Sequence, residues 1–290
     1  MLRYISYILI VLTAIGLTAA IGVILVGGLF HRLSHRGAMT VTAFDAVATP
    51  ASGTPRLHAI LLEADSGQAV SLVKLFFRLE DGWSNYGWTS SDGTTLVYVP
   101  NRGAGRYAFT VSLSEMEPCL GVRSGAALWI RPDDAPVVWL DAMAVVESPS
   151  ASSWVPPDPK QAAAYDPLDA LKTLAAGRQV VYLVAAPVAD YQGVRLHLDR
   201  PGIPPGPAFW IKPGGETERL SALRTVWPRV DAAIVCTPAL QAAAERCKAP
   251  TWRVRYARGA RAQPFDGISE WRDVLGRVTP GRGTSDTGEK

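Results

Sequence analysis

The sequence has few of the side chains that most often carry chemistry. Four histidines and three cysteines occur among 290 residues, and the histidines are dispersed along the chain. The cysteines, Cys119, Cys236 and Cys247, form no Cys-x-x-Cys pair, and their number is odd. These spacings do not support a zinc site or a disulfide framework, and they favour small buried thiols.

Several enzyme motifs are also missing. The chain has no Gly-x-Ser-x-Gly elbow, no Gly-Lys-Ser/Thr phosphate loop and no His-Glu-x-x-His helix. Its net charge is only +3, and the basic residues are scattered without interleaved aromatics. We therefore predict no nucleic-acid partner. The turn Pro213-Gly214-Gly215 precedes a predicted helix and could offer amides to an anion, although an ordinary turn is the preferred interpretation.

A long apolar run opens the chain. Tyr4–Phe30 contains no charged residue and exceeds the roughly 20 residues that span a bilayer as a helix. It is longer than the apolar part of a signal peptide and lacks a good cleavage site. We predict a single-pass, uncleaved membrane anchor over residues 1–36, with a cleaved signal or a buried helix as alternatives. Arg3 on one side and Arg32 and Arg36 on the other leave the orientation open.

A spacer and then a β-rich domain follow the anchor. Residues 37–55 contain Pro50, Gly53 and Pro55 and are predicted to be a spacer, with a first strand at Met39–Phe44 as an alternative. Over residues 56–131 the apolar period is two, and Gly- and Asp-containing turns separate the runs. This pattern predicts an antiparallel β-sandwich.

The turn residues of this region carry a resemblance. Thr89-Ser90-Ser91-Asp92-Gly93 leads into one apolar run, and Gly105-Arg106-Tyr107 opens the next. The order resembles bacterial immunoglobulin-like modules of the carboxypeptidase-regulatory type, and it implies architecture only. Trp83, Tyr86 and Trp88 form an aromatic cluster that could bind a sugar or a partner if exposed. A buried strand edge is the preferred interpretation.

Residues 132–260 alternate between short apolar runs and helical patterns. The first run, Val137–Leu140, ends in Asp141, and a helix with Pro167 in its first turn follows. Repeated units of this kind predict a parallel sheet with helices on both faces, in a Rossmann-like α/β domain. Residues 261–290 are predicted to form a short helix and a disordered tail.

This domain resembles the haloacid dehalogenase-like (HAD) fold, a phosphatase-rich family. The resemblance rests on the strand ending in Asp141, on Val180–Leu183, on Gly206-Pro207, and on the helix with Leu220, Leu223, Trp227 and Pro228.

The resemblance implies four motifs around one phosphate. Asp141 takes the position of the nucleophile, but Met143 replaces the general acid two residues later. Val184 replaces the hydroxyl of the second motif. Lys212 and Arg219 are the candidates for the phosphate-neutralising cation.

The fourth motif, an acidic pair that holds magnesium, falls on Thr237-Pro238-Ala239-Leu240, which contains no acid. One carboxylate is a poor anchor for the octahedral oxygen shell of magnesium. Loss of a general acid or base alone costs about 10²–10⁴-fold in rate.

These losses predict a membrane protein whose HAD-like domain has lost phosphatase activity and serves binding or scaffolding, with no cofactor. Its partner would be the membrane together with an unknown protein or phosphorylated ligand. One alternative is an active phosphohydrolase that uses Asp141, magnesium and acids from loops, such as Asp158, Asp166 or Asp190. Another is an envelope protein that binds partners through the sandwich. Asp141 could also be a plain structural cap at a strand end.

Overall fold

A computed structural model describes residues 39–50, 53–113, 122–132, 134–145 and 167–254, together with Val274 and Val278. The strands are β1 (Met39–Phe44), β2 (Ala46–Ala48), β3 (Arg56–Glu63), β4 (Lys74–Leu79), β5 (Ser84–Trp88), β6 (Thr94–Tyr98), β7 (Gly105–Ser112), β8 (Arg123–Ile130), β9 (Val137–Asp141), β10 (Gln179–Val184), β11 (Ala208–Trp210), β12 (Val230–Val235) and β13 (Thr251–Arg253). The helices are α1 (Pro167–Ala175), α2 (Val188–Leu198), α3 (Glu216–Val226) and α4 (Pro238–Arg246).

Strands β1 to β8 form two sheets that pack face to face. One sheet has the order β1-β3-β6, and the other has the order β2-β8-β7-β4-β5. Apolar residues that alternate along β4 and β7, such as Leu75, Phe77, Phe109 and Val111, point inward and are buried. The period-two pattern in the sequence thus fills one core between the sheets.

In this region the structure has the alternative interpretation, a first strand at Met39–Phe44, and not the spacer. Residues 39–48 do not form a spacer, because β1 pairs with β3 and β2 pairs with β8, and nearly all of their side chains are buried. Strand β5 covers Ser84–Trp88, where the preferred interpretation of the aromatic cluster expects a strand edge. Its sequence has a weak strand pattern, and the strand is held by pairing with β4.

Strands β9 to β13 form a separate five-stranded sheet in the order β11-β10-β9-β12-β13. Every neighbouring pair in it is parallel. Helices α1 and α2 pack on one face through side chains such as Leu171, Leu174 and Val194. Helices α3 and α4 cover the other face through Leu220, Leu223 and Leu240 among others. The central strands are buried on both sides, so their sequences are continuous apolar runs.

The β1–β2 segment joins the two sheet systems. Phe44 at the end of β1 stacks on Trp210 of β11 and lies against Tyr191 of α2, with ring centroids 4.8 and 5.0 Å apart. Val47 of β2 packs against the core under α3 and α4. The sandwich therefore sits on the β11 edge of the parallel sheet, with no linker between them at this point.

Among the described residues, no helix is long and apolar enough to cross a membrane. The predicted anchor at Tyr4–Phe30 lies outside the described residues, as do most of the predicted terminal helix and tail.

Candidate functional site

The carboxyl ends of β9 and β12 meet where the strand order of the parallel sheet reverses. Starting from β9, the chain builds β10 and β11 on one side and β12 and β13 on the other. In open parallel sheets, ligands bind in the crevice at this reversal, outside the carboxyl ends of the strands. Asp141, the last residue of β9, lies at this point. The position that the sequence singled out is therefore the position where a ligand is expected.

Asp141 uses both of its carboxylate oxygens within the fold. Oδ1 accepts a hydrogen bond from the backbone N–H of Met143 at 3.0 Å, which caps a single 3₁₀ turn over Ala142–Ala144. Oδ2 accepts one from the backbone N–H of Cys236 at 3.0 Å. Because Cys236 follows β12, the carboxylate joins the two strand ends that would border the crevice. The side chain has 0% exposure.

Burial controls the titration of Asp141. The loss of solvation raises its pKa from 3.8 to about 6, although hydrogen bonds from the backbone of Cys236, Met143 and Thr237 act in the opposite direction. The negative charge of Asp141 and burial together raise the pKa of the Cys236 thiol, with burial the larger cause. The thiol of Cys236 is therefore held in its neutral form.

The residues around Asp141 supply backbone groups and apolar side chains. Met143 is half-buried and packs against the core beneath α1 and α2. Val184, at the end of the adjacent strand β10, is buried in the same core. Thr237 uses its hydroxyl to cap α4, accepting the N–H of Leu240 at 3.2 Å. Glu245, the nearest acid after β12, is exposed on α4 and accepts a hydrogen bond from Gln241.

The two predicted phosphate-binding cations are found at the end of β11 and on α3. Lys212 follows β11 and is exposed. Since β11 is two strands from β9, its end is roughly 10 Å from that of β9 at the usual strand spacing. Arg219 in α3 lies over the ring of Phe209 at 4.6 Å and donates to the carbonyl of Trp210 at 3.4 Å. The structure does not bring Arg219 to Asp141.

Arg219 instead faces the joint between the two sheet systems. Burial lowers the pKa of Arg219. Burial, followed by the positive charge of Arg219, lowers the pKa of His58 in β3 to about 4. His58 stacks on Phe44 with centroids 5.1 Å apart. The imidazole is therefore neutral at physiological pH and belongs to the aromatic contact across the joint.

The glycine turn before α3 is occupied by the protein itself. The backbone N–H of Gly214 donates to the carboxylate of Glu216 at 3.0 Å, and that of Gly215 donates to the carbonyl of Lys212 at 2.9 Å. Gly214 has a φ of +84°, which explains the glycine at this position. The turn is thus an ordinary one, as the preferred interpretation of the sequence has it.

No group of three or more His, Cys, Asp and Glu side chains within the described ranges is arranged to hold a metal ion. Asp158 and Asp166, the loop acids of the alternative active site, lie outside those ranges. Asp190 lies in the first turn of α2.

A second buried carboxylate, at Asp45, was not anticipated. Its Oδ1 accepts the N–H of Ala127 and its Oδ2 accepts the N–H of Ala208, both at 2.8 Å. Arg195 of α2 forms an ion pair with it at 2.9 Å. Burial raises the pKa of Asp45 against the opposing charge of Arg195. One carboxylate thereby fastens β8, β11 and α2 together.

Tyr191 also takes part in the hydrogen bonding around Asp45. The Tyr191 hydroxyl accepts the N–H of Asp45 at 2.9 Å and donates to the carbonyl of Ala208 at 2.7 Å. The available signal in the sequence was a single acid inside the apolar stretch 41–48, and a single arginine inside the apolar end of α2. Lone charges in such surroundings indicate buried pairs.

The three residues of the predicted aromatic cluster differ in their exposure. Trp83 packs against the sandwich core. Tyr86 and Trp88 on the edge strand β5 remain 50% and 53% exposed. The preferred interpretation of a buried strand edge is therefore wrong for Tyr86 and Trp88.

Comparison with known proteins does not identify a family. No family model matches the sequence, and no curated protein matches it. A search of solved structures finds a ferredoxin-NADP+ reductase from Plasmodium falciparum with 2'P-AMP at 10% identity. The match covers 75% of this chain and 95% of that one, with a TM-score of 0.18. A similarity of this size carries no argument about fold or function.

Proposed function

We propose that this chain is a membrane-anchored binding or scaffolding protein whose HAD-like domain has no phosphoryl-transfer activity. The burial of Asp141 is the observation that supports it most. A nucleophile must be accessible to phosphorus, and Asp141 is fully buried, with a backbone N–H 3.0 Å from each oxygen. The carboxylate acts here as a clasp between the ends of β9 and β12.

The surroundings of Asp141 support the same conclusion. Met143 replaces the proton donor that general acid catalysis would use, and Val184 replaces a hydroxyl donor to phosphate. Arg219 is directed at Phe209 and Trp210. A developing negative charge near Asp141 would thus lack the proton donor of the family's first motif, and Arg219 makes its contacts elsewhere.

The test is hydrolysis of phosphomonoesters by the purified full chain in detergent, with and without magnesium. We expect no magnesium-dependent turnover above buffer, and no difference between the wild type and Asp141→Asn. Lys212→Ala is a second site variant that removes a candidate phosphate-binding cation, and its exposed side chain can be lost without disturbing the core. Magnesium-dependent turnover that both substitutions abolish would establish the alternative phosphohydrolase, with its missing acids drawn from loops such as those of Asp158 and Asp166.

Binding through the sandwich is a second candidate function. The exposure of Tyr86 and Trp88 favours it, since soluble proteins rarely leave neighbouring aromatic rings open to water without a use. The two proposed functions are compatible, because the parallel sheet can serve as a rigid support while the sandwich supplies the contact surface.

A further inference from the structure

We propose that one corner of the sandwich binds the surface of an anionic membrane. Five side chains form this aromatic corner: Leu72, Lys74, Phe76, Tyr86 and Trp88. The inference rests on the membrane anchor of the proposed function and assigns a lipid surface as the partner of the sandwich.

The aromatic corner concentrates exposed apolar surface. Leu72, Trp88 and Tyr86 are 65%, 53% and 50% exposed. Leu72 also has a φ of +56°, a conformation that residues with a side chain rarely adopt. A strained, exposed leucine beside exposed aromatic rings is costly in water. The exposure of these three side chains becomes favourable when they enter an interface of low polarity.

Strand register places the rings and a cation on the same outer face. Lys74 pairs with Trp88, and Phe76 pairs with Tyr86, so all four alternate to the side away from the sandwich core. The Lys74 ammonium lies 3.7 Å from the ring centroid of Tyr86 and 4.8 Å from that of Phe76. Aromatic rings with a cation among them match the interfacial region of a bilayer, where Trp and Tyr concentrate.

The same face continues with positive charge. Phe76 pairs with Ser112 on β7, which pairs with Arg123 on β8, and Arg78 is exposed two residues along β4. Glu80 is the acid at the far end of this row, and its carboxylate accepts the backbone N–H of Ala108 at 3.2 Å. Among the described residues on this outer face of β4, β7 and β8, the basic side chains outnumber the acidic ones, whereas Glu63, Asp65 and Asp92 at the same end belong to the end of β3 and to the segments after β3 and before β6. That excess complements anionic headgroups.

The aromatic corner lies at the end of the sandwich where the chain enters. β1 and β8 run in the same direction, since β2 continues β1 and pairs in parallel with β8. Antiparallel pairing of β8 with β7, and of β7 with β4, makes β4 run in that direction too. The start of β4 at Lys74 is therefore at the same end as Met39.

A short segment connects the apolar run at the start of the chain to this end. Nine residue steps separate Phe30 from Met39, so the two are at most about 32 Å apart in an extended chain. If Tyr4–Phe30 crosses the bilayer, the aromatic corner is within reach of the same membrane surface.

A peptide strand added to the β5 edge fits less well. The backbone N–H of Tyr86 already donates to Asn85 Oδ1 at 2.9 Å, so a donor of this strand is occupied. The inner side of β5 is closed by β6, because a Cβ on Gly87 would lie 2.5 Å from Thr95 Oγ1. The part of β5 that remains available is its outer face of side chains. This face suits contact with a membrane surface rather than pairing with an added strand.

The experiment uses the full chain in phosphatidylcholine vesicles with and without phosphatidylglycerol, in a Cys119→Ser background. The other two cysteines are buried. A fluorophore is attached at Leu72→Cys, and its quenching by lipids with a nitroxide headgroup is measured. Tyr98→Cys is the matched control, since Tyr98 is 54% exposed and lies at the opposite end of the sandwich, where β6 ends and β3 begins.

We expect quenching at position 72 to exceed that at position 98 several-fold in vesicles with phosphatidylglycerol. The excess should disappear when Tyr86 and Trp88 are replaced by alanine. Lys74→Ala should lower the ratio of membrane-bound to unbound aromatic corners about fivefold. This factor corresponds to ~1 kcal/mol for one basic residue at an anionic surface.

Equal quenching at the two positions in a chain that floats with the vesicles would overturn the proposal and leave the anchor intact. An excess that survives loss of both rings would also overturn it. If the chain did not float with the vesicles, the predicted membrane anchor would be refuted, and the proposal would fail with it. The phosphatase assay is independent of all three results.

Discussion

Asp141 gives a sharp test because two opposing effects act on one buried carboxyl group. Burial favours the neutral acid, whereas hydrogen bonds from backbone N–H groups favour the carboxylate, and burial is the stronger effect, with a pKa of about 6. The pKa in the unfolded chain is 3.8. The folded state therefore binds more protons than the unfolded state between these two values.

The sign and size of the effect follow from that difference. Stability from Asp141 is greatest below pH 4 and falls as the pH rises towards 6, because the folded state must then hold a buried charge. A difference of about two pKa units corresponds to ~3 kcal/mol in the free energy of unfolding. Above about pH 7, the contribution of Asp141 to the free energy of unfolding no longer changes with pH.

The assay is equilibrium urea unfolding of the wild type and of Asp141→Asn between pH 4 and pH 8. The substitution has a constant cost of about 1–3 kcal/mol, since an amide cannot accept from both N–H groups. We expect the stability advantage of the wild type to shrink by ~2 kcal/mol from pH 4 to pH 7, since part of the full effect lies below pH 4. Titration of other groups cancels in the comparison.

A flat difference across this range would refute the raised pKa. A difference of opposite sign, with the wild type losing stability relative to the variant as pH falls, would show that the N–H groups of Met143 and Cys236 outweigh burial.

Two further stability predictions concern the joint and the sandwich. Arg195→Met should lower the free energy of unfolding by about 3–5 kcal/mol, because it leaves the buried charge of Asp45 unpaired. Arg246→Met, on the exposed end of α4, is the control and should change the free energy of unfolding by less than about 0.5 kcal/mol. Both variants are measured by urea unfolding. Gly87→Ala should cost about 1–3 kcal/mol, since its Cβ would lie 2.5 Å from Thr95 Oγ1. Adding Thr95→Ala should restore most of that stability, and a double variant as unstable as Gly87→Ala alone would contradict the steric explanation.

Much of the local structure could be predicted from the pattern of apolar residues. The continuous run at Val137–Leu140 and the one at Val180–Leu183 form central strands because both faces of the parallel sheet are covered by helices. α4 begins where Thr237 and Pro238 indicate, since the hydroxyl caps a free N–H and proline suits the first turn.

β5 and the β1–β2 segment could not be placed in the same way. The sequence of β5 carries two aromatics, a glycine and two small polar residues, and only the partner strand β4 makes it extended. Residues 39–48 fit both a spacer and, over Met39–Phe44, a strand, and the sequence pattern did not decide between them. They become core strands because β3 and β8, distant in sequence, supply their backbone partners.

The sequence alone determined that Asp141 ends a buried strand and that Met143 and Val184 cannot serve phosphoryl transfer. It could not determine what the Asp141 carboxylate does instead. Its partner is the N–H of Cys236, 95 residues further along the chain, and a backbone amide has no signature in the sequence because every residue except proline has one. Only the adjacency of β9 and β12 in the folded sheet makes this carboxylate a clasp.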